Sequence, residues 1–146
     1  MIREFEHYIR EKAARKTIPN TAMAKSLLQK AETRMKRVSG ESIEEENSSL
    51  IFEDIYESLR EAAQSLMELK GYKPYSHEVV VSFLKEYKLL SEENTHVLDT
   101  YRTLRNNSVY RAEMVSVEKC KEAFSFAHRI LPEIRQTFER MNEYKG

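Results

Sequence analysis

The stretch Tyr101-Arg102-Thr103-Leu104-Arg105-Asn106-Asn107-Ser108-Val109-Tyr110 concentrates the side chains best suited to holding an anion or a base. Val97, Leu98, Tyr101 and Leu104 recur at helical spacing and give that segment an inward stripe. Arg105 follows Leu104 and comes one turn after Tyr101, so its guanidinium belongs at the border of the stripe, within reach of a groove. Asn106 and Asn107 add amide donors and acceptors where the helix is expected to end, and Tyr110 lies about a turn further on. A planar cation, two amides and a phenol can hold a phosphate or a base. Arg102, one turn earlier on the side of Arg105 and Asn106, adds charge. The competing reading makes Arg105 a solvated cation offsetting the helix dipole and Asn106-Asn107 a C-terminal stop.

Other chemistry is sparser. Two Glu-x-x-His pairs occur, Glu4 with His7 and Glu93 with His96. Four-helix carboxylate proteins use that spacing twice to hold two metal ions. Here His7 falls roughly opposite the Phe5–Ile9 stripe, and Glu93 serves the first turn of a helix, so neither a metal site nor a cofactor is expected. Glu44-Glu45-Glu46 is likewise read as helix-start electrostatics. His77 follows Ser76 at a helix start and reads as a surface histidine able to titrate near neutrality. His128 has no evident partner. No serine or cysteine nucleophile motif and no glycine-rich phosphate loop is present, which argues against acyl-transfer and P-loop enzymes. Cys120, the single cysteine, excludes a disulfide framework and reads as a small buried side chain.

These residues must be positioned by helices. The chain has 146 residues, with three glycines, three prolines and a predominance of helix-forming types. That composition predicts an all-α, up-and-down bundle of four to five main helices plus a short N-terminal helix. Basic and acidic residues number 24 each, so no net field draws the chain to nucleic acid and any such binding must be local. The acidic N-terminus, with no apolar run, does not read as a signal peptide, and no segment approaches membrane-spanning length. A cytoplasmic protein with no membrane contact is expected.

Residues 1–19 are expected to form a peripheral helix, over 2 to about 16, and residues 20–146 the bundle. Asn20 or Thr21 caps a helix bearing Ala24, Leu27, Leu28, Ala31, Met35 and Val38, with Gly40 as a left-handed stop. Ser42-Ile43-Glu44-Glu45 has capping-box spacing and predicts the start of the most apolar helix. Ile51, Ile55, Leu59, Ala62, Leu66 and Leu69 form one stripe of that helix, and Phe52, Tyr56, Ala63 and Met67 a second. So wide a face suits either a central helix or one shared between the core and a partner subunit. Val79-Val80-Val81 favours a strand locally, yet Val80, Phe83, Leu84 and Tyr87 keep a helical period. Ser91-Glu92-Glu93 starts the helix carrying Arg105. The last helix begins at Ser116, with Pro132 expected to kink or divide it.

The order of these features resembles the HEPN (higher-eukaryote and prokaryote nucleotide-binding) domain family, closest to its small archaeal and bacterial members. The residues that carry the resemblance are Ala24 to Ala31, Ile55 to Ala62, Gly71-Tyr72-Lys73-Pro74-Tyr75-Ser76-His77, and Leu104-Arg105-Asn106-x-x-x-Tyr110. The likeness spans about residues 20 to 138. It implies a helical bundle that pairs as a two-fold dimer, with the Arg-bearing helices facing one another across a cleft. Members with Arg followed after four to six residues by His are metal-independent ribonucleases, often toxins paired with a small nucleotidyltransferase. Here Tyr110 occupies the first permitted histidine position. Tyrosine, with an ordinary pKa around 10, is a poor base at pH 7 but can stack on a base or donate a hydrogen bond. The resemblance therefore implies nucleotide or RNA binding through Arg102, Arg105, Asn106, Asn107 and Tyr110. Ribonuclease activity, resting on Arg105 and Tyr110, is expected to be weak or absent. The alternative is a helical homodimerisation or protein-interaction module in which the wide face of residues 51–69 does the work.

Overall fold

The computed structural model describes residues 2–143. Its elements run α1 (Phe5–Arg10), β1 (Ala14–Lys16), α2 (Thr21–Ser39), α3 (Ser48–Lys70), β2 (Tyr72–Pro74), α4 (His77–Glu86), α5 (Glu92–Arg111) and α6 (Val117–Glu143). The fold is an all-α bundle with one small two-stranded sheet. At its centre α3 packs against α2, α4, α5 and α6. All ten apolar residues of its two stripes are buried, because a helix surrounded on several sides needs an apolar face wider than a single stripe.

Small residues let α2 approach α3. Ala24, Ala31 and Ala62 are fully buried, and Ser58 Oγ donates to the Ala31 carbonyl at 2.6 Å. The buried Glu61 carboxylate is held across the same contact by Arg34 Nε at 3.0 Å and Lys30 Nζ at 3.3 Å. The carboxylate is thus charge-paired where burial alone would penalise it.

The termini of the helices follow local chemistry, with three departures from expectation. Asn20 caps α2 by accepting from Met23 N, Ser91 caps α5 through Asn94 N, and Ser116 Oγ accepts from Lys119 N ahead of α6. Ser42 does not open α3. Instead Asn47 accepts from Glu44 N at 2.8 Å and donates to the Ser42 carbonyl at 2.9 Å, folding residues 42–47 into a turn before the helix begins at Ser48. Gly40 is right-handed, at φ −85°, and the left-handed stop is at Gly71, at φ +83°. α5 does not end at Asn106-Asn107 but continues to Arg111, stopped by Ala112 in the left-handed region. α6 runs through Pro132 without being divided.

The N-terminal segment also departs from the expected helix over 2–16. α1 stops after Arg10, and Lys12 turns the chain at φ +61°. Residues 14–16 then pair antiparallel with 72–74, Ala14 opposite Pro74 and Lys16 opposite Tyr72. Phe5 and Tyr8 join the core, Phe5 meeting the Tyr72 and Phe83 rings edge-on at 5.1 and 5.6 Å. Three-residue strands carry too little periodicity to be read from sequence, and the pairing exists only because α3 ends beside the N-terminal segment. The Val79–Val81 run is helical, as its apolar period required.

Candidate functional site

Gly71 reverses the chain at the end of α3, and the β1–β2 pairing then holds the following loop, Tyr75 N donating to the Ala13 carbonyl at 2.8 Å. That loop delivers Tyr75, Ser76 and His77 to the start of α4. Opposite them stands α5. Its Leu98 and Tyr101 are buried, but from Leu104 onward its residues are half-buried or exposed. The site-bearing end of α5 therefore projects past the core. Between these elements and α1 lies an open cavity of about 600 Å³, lined by Arg102, Arg105, Asn106 and Tyr110 of α5. Tyr75, Ser76, His77 and Glu78 line it from the second side, and His7, Tyr8 and Glu11 from the third.

The two arginines differ in kind. Arg102 is already neutralised: its Nε lies 2.7 Å from Asp99 Oδ1 and its guanidinium 3.6 Å from Glu78 Oε1. Glu78 in turn accepts from the Tyr8 hydroxyl at 3.1 Å, so Arg102 ties α1, α4 and α5 together. Arg105 makes no ion pair or hydrogen bond among the described residues. Its guanidinium carbon lies 6.0 Å from the centre of the Tyr110 ring, the outer limit of a cation–π contact. Tyr110 is 76% exposed. Asn106 lines the cavity, whereas Asn107 is absent from its lining and its carbonyl instead accepts the Ala112 and Glu113 N–H groups that terminate α5.

His77 belongs to this constellation, although its place at a helix start reads in the sequence as that of a surface histidine. It is half-buried, not a free surface group. Its ring stacks on Tyr56 with centroids 5.7 Å apart, and its Nδ1 lies 3.2 Å from the Tyr56 hydroxyl. Burial, and then the positive charges of Arg60, Arg105 and Arg102, hold its pKa below the ordinary 6.5, with Glu57 opposing. Arg60 itself is committed to Glu57 and to Gln64 Oε1, the latter at 2.6 Å. Burial pushes the Tyr56 phenol well above the usual tyrosine range, so it stays protonated. Tyr56 was legible as a core residue. Its pairing with His77 was not, since 21 residues separate them.

The sign of the His77 shift gives a stability prediction. The unfolded chain protonates His77 near 6.5 and the folded chain only at lower pH. Between those values the unfolded state binds more protons, so stability falls as pH is lowered through that window. Thermal melts of His77→Gln between pH 5 and 7 should lose part of this dependence. An unchanged slope contradicts the assignment.

Elsewhere, a cavity of about 870 Å³ lies between the N-terminal segment, the α4–α5 turn and α6. Lys85, Lys88, Arg3 and Arg140 at its walls are matched by Glu4, Glu86, Glu92 and Glu133, so it has no preference for an anion. Among the described residues no three His, Cys, Asp or Glu side chains converge as a metal site, and the two Glu-x-x-His pairs do not come together. Cys120 is buried on α6, its thiol pushed up to about 11 by burial. No helix among the described residues is long and apolar enough to cross a membrane. No protein-family model, curated protein or solved structure matches the chain.

Proposed function

We propose that the cavity between α1, α4 and α5 binds the phosphate of a nucleotide or of single-stranded RNA, in a HEPN-like protein that acts as a homodimer with a nucleotidyltransferase partner. Ribonuclease activity is weak or absent in this reading, because Tyr110 stands where a motif histidine would be. The observation that supports it most directly is Arg105, a half-buried guanidinium with no carboxylate partner among the described residues, opening on a cavity beside an exposed phenol. Arginine presents a fork of donors that matches phosphate oxygens, and a tyrosine face can stack on a base. Arg102 contributes by holding α5 in place, its own charge being satisfied within the fold.

Arg105→Ala should weaken binding of a short single-stranded oligoribonucleotide by about tenfold or more, the scale of one lost charge-assisted hydrogen bond. Fluorescence anisotropy at low salt reads this, with thermal stability as the control for folding. Unchanged affinity in Arg105→Ala rejects the assignment of Arg105 to the site.

One observation favours the second reading, a dimerisation module without a ligand. Val109, Tyr110 and Met114 near the end of α5 and Leu50 near the start of α3 are exposed, and Ser49 Oγ lies 3.8 Å from Met114 Sδ. The stripes of α3 are consumed by the chain's own core, so an interface would draw on exposed side chains such as these and not on the face of residues 51–69. A dimeric wild type that becomes monomeric in Leu50→Asp, with no oligoribonucleotide binding by the wild type, supports this second reading.

A further inference from the structure

We propose that His77 is a second anion-contacting group in the Arg105 cavity, and that it takes up a proton when a phosphodiester binds there. The inference rests on the reading of this cavity as a phosphate pocket and adds a titrating residue to it. Nothing in the Arg-Asn-x-x-x-Tyr segment supplies an imidazole; the fold brings one from the start of α4, 28 positions before Arg105.

The geometry gives the imidazole one committed face and one open face. Nδ1 is engaged by the Tyr56 hydroxyl at 3.2 Å, and the ring is stacked on Tyr56, so its orientation is held from the α3 side. Nε2 has no hydrogen-bond partner among the described residues, and His77 lines the cavity with Arg105. An imidazole fixed through one nitrogen and free at the other can offer that second nitrogen to a ligand.

The surrounding charges explain the coupling. From α3, Arg60 and Glu57 face His77 as a bonded pair in which Arg60 opposes the imidazolium more strongly than Glu57 favours it. From α5, Arg102 is compensated by Asp99 and by Glu78 of α4. His7 and Glu11 of the N-terminal segment line the far wall. Arg105 is the cation left uncompensated, and it opposes a second positive charge on His77. A phosphodiester against Arg105 cancels that opposition and adds an acceptor for an Nε2–H. Anion binding therefore favours the imidazolium, and by reciprocity the imidazolium favours anion binding.

The test uses hexauridylate, whose phosphodiesters keep one negative charge each throughout pH 5.5–8, and the full chain with labelled histidine rings. His77 should titrate at higher pH with hexauridylate bound than without it, by about one unit. One unit sets a tenfold ceiling on the affinity change, reached only below both midpoints, so binding should tighten by roughly three- to sevenfold from pH 8 to 5.5. His77→Gln should flatten that profile, and His7→Gln should leave it in place. If hexauridylate binds and Arg105→Ala abolishes binding, yet the His77 midpoint does not move, the proposal is overturned and the phosphate pocket stands. A pH profile lost in His7→Gln and kept in His77→Gln overturns it in the same way. If hexauridylate binds at no pH in this range, the pocket reading fails and this proposal with it.

Discussion

Replacing Phe52 by alanine should destabilise the protein by about 3–5 kcal/mol, the scale for deleting a buried aromatic ring. Phe52 is fully buried on α3, and its ring meets that of Tyr101 edge-on at 5.8 Å, with Tyr101 in turn meeting Phe126 at 5.5 Å. The three rings join α3, α5 and α6. Burial, and then the Glu122 carboxylate that accepts from the Tyr101 hydroxyl at 3.2 Å, raise the Tyr101 pKa and keep it protonated. Because α5 buries few other residues, its projecting end should lose its fixed position as well. Urea unfolding reads the stability loss. A second measurement, oligoribonucleotide affinity at a temperature where the variant remains folded, should show weaker binding although Phe52 is remote from the cavity. A loss below about 1.5 kcal/mol would mean that the cluster repacks, and that α5 is held by something other than these rings.

Gly71→Ala should cost about 3 kcal/mol, from two sources that add. The residue sits at φ +83°, where a side chain costs roughly 1–2 kcal/mol. An added Cβ would also lie 2.5 Å from the Thr17 carbonyl oxygen and 3.0 Å from the Pro19 ring. That contact cannot relax cheaply, because Thr17 N donates to the Gly71 carbonyl at 2.6 Å and Asn20 N to that of Glu68 at 3.1 Å. The strain therefore reaches the β1–β2 pairing and the loop that presents Tyr75 and His77. Gly40→Ala is the internal comparison. Gly40 is right-handed and its added Cβ meets nothing closer than 3.5 Å, so its melting temperature should shift little. Equal effects at the two positions would contradict the assignment of strain to Gly71.

The all-α class, the wide apolar face of α3 and most helix starts were determined by the sequence alone, whereas the burial of that whole face inside one chain was decided by the tertiary structure. The first three depend on short-range pattern: the double apolar stripe from Ile51 to Leu69, the caps Asn20, Ser91 and Ser116, the scarcity of glycine and proline. The same holds for the choice of helix over strand at Val79–Val81, where period outweighed β-propensity. Tertiary structure alone decided the β1–β2 pairing, since three-residue strands have no readable period and take their register from the turn at Gly71. It also decided which arginine of α5 is satisfied. Arg102 and Arg105 are three residues apart on one helix face, and only the arrival of Glu78 from α4 and the location of Asp99 separate a structural ion pair from an open cation. The place of His77 beside Arg105 was decided in the same way. An imidazole and a guanidinium far apart in sequence meet only when α3, α4 and α5 pack, and helical periodicity carries no information about contacts of that range.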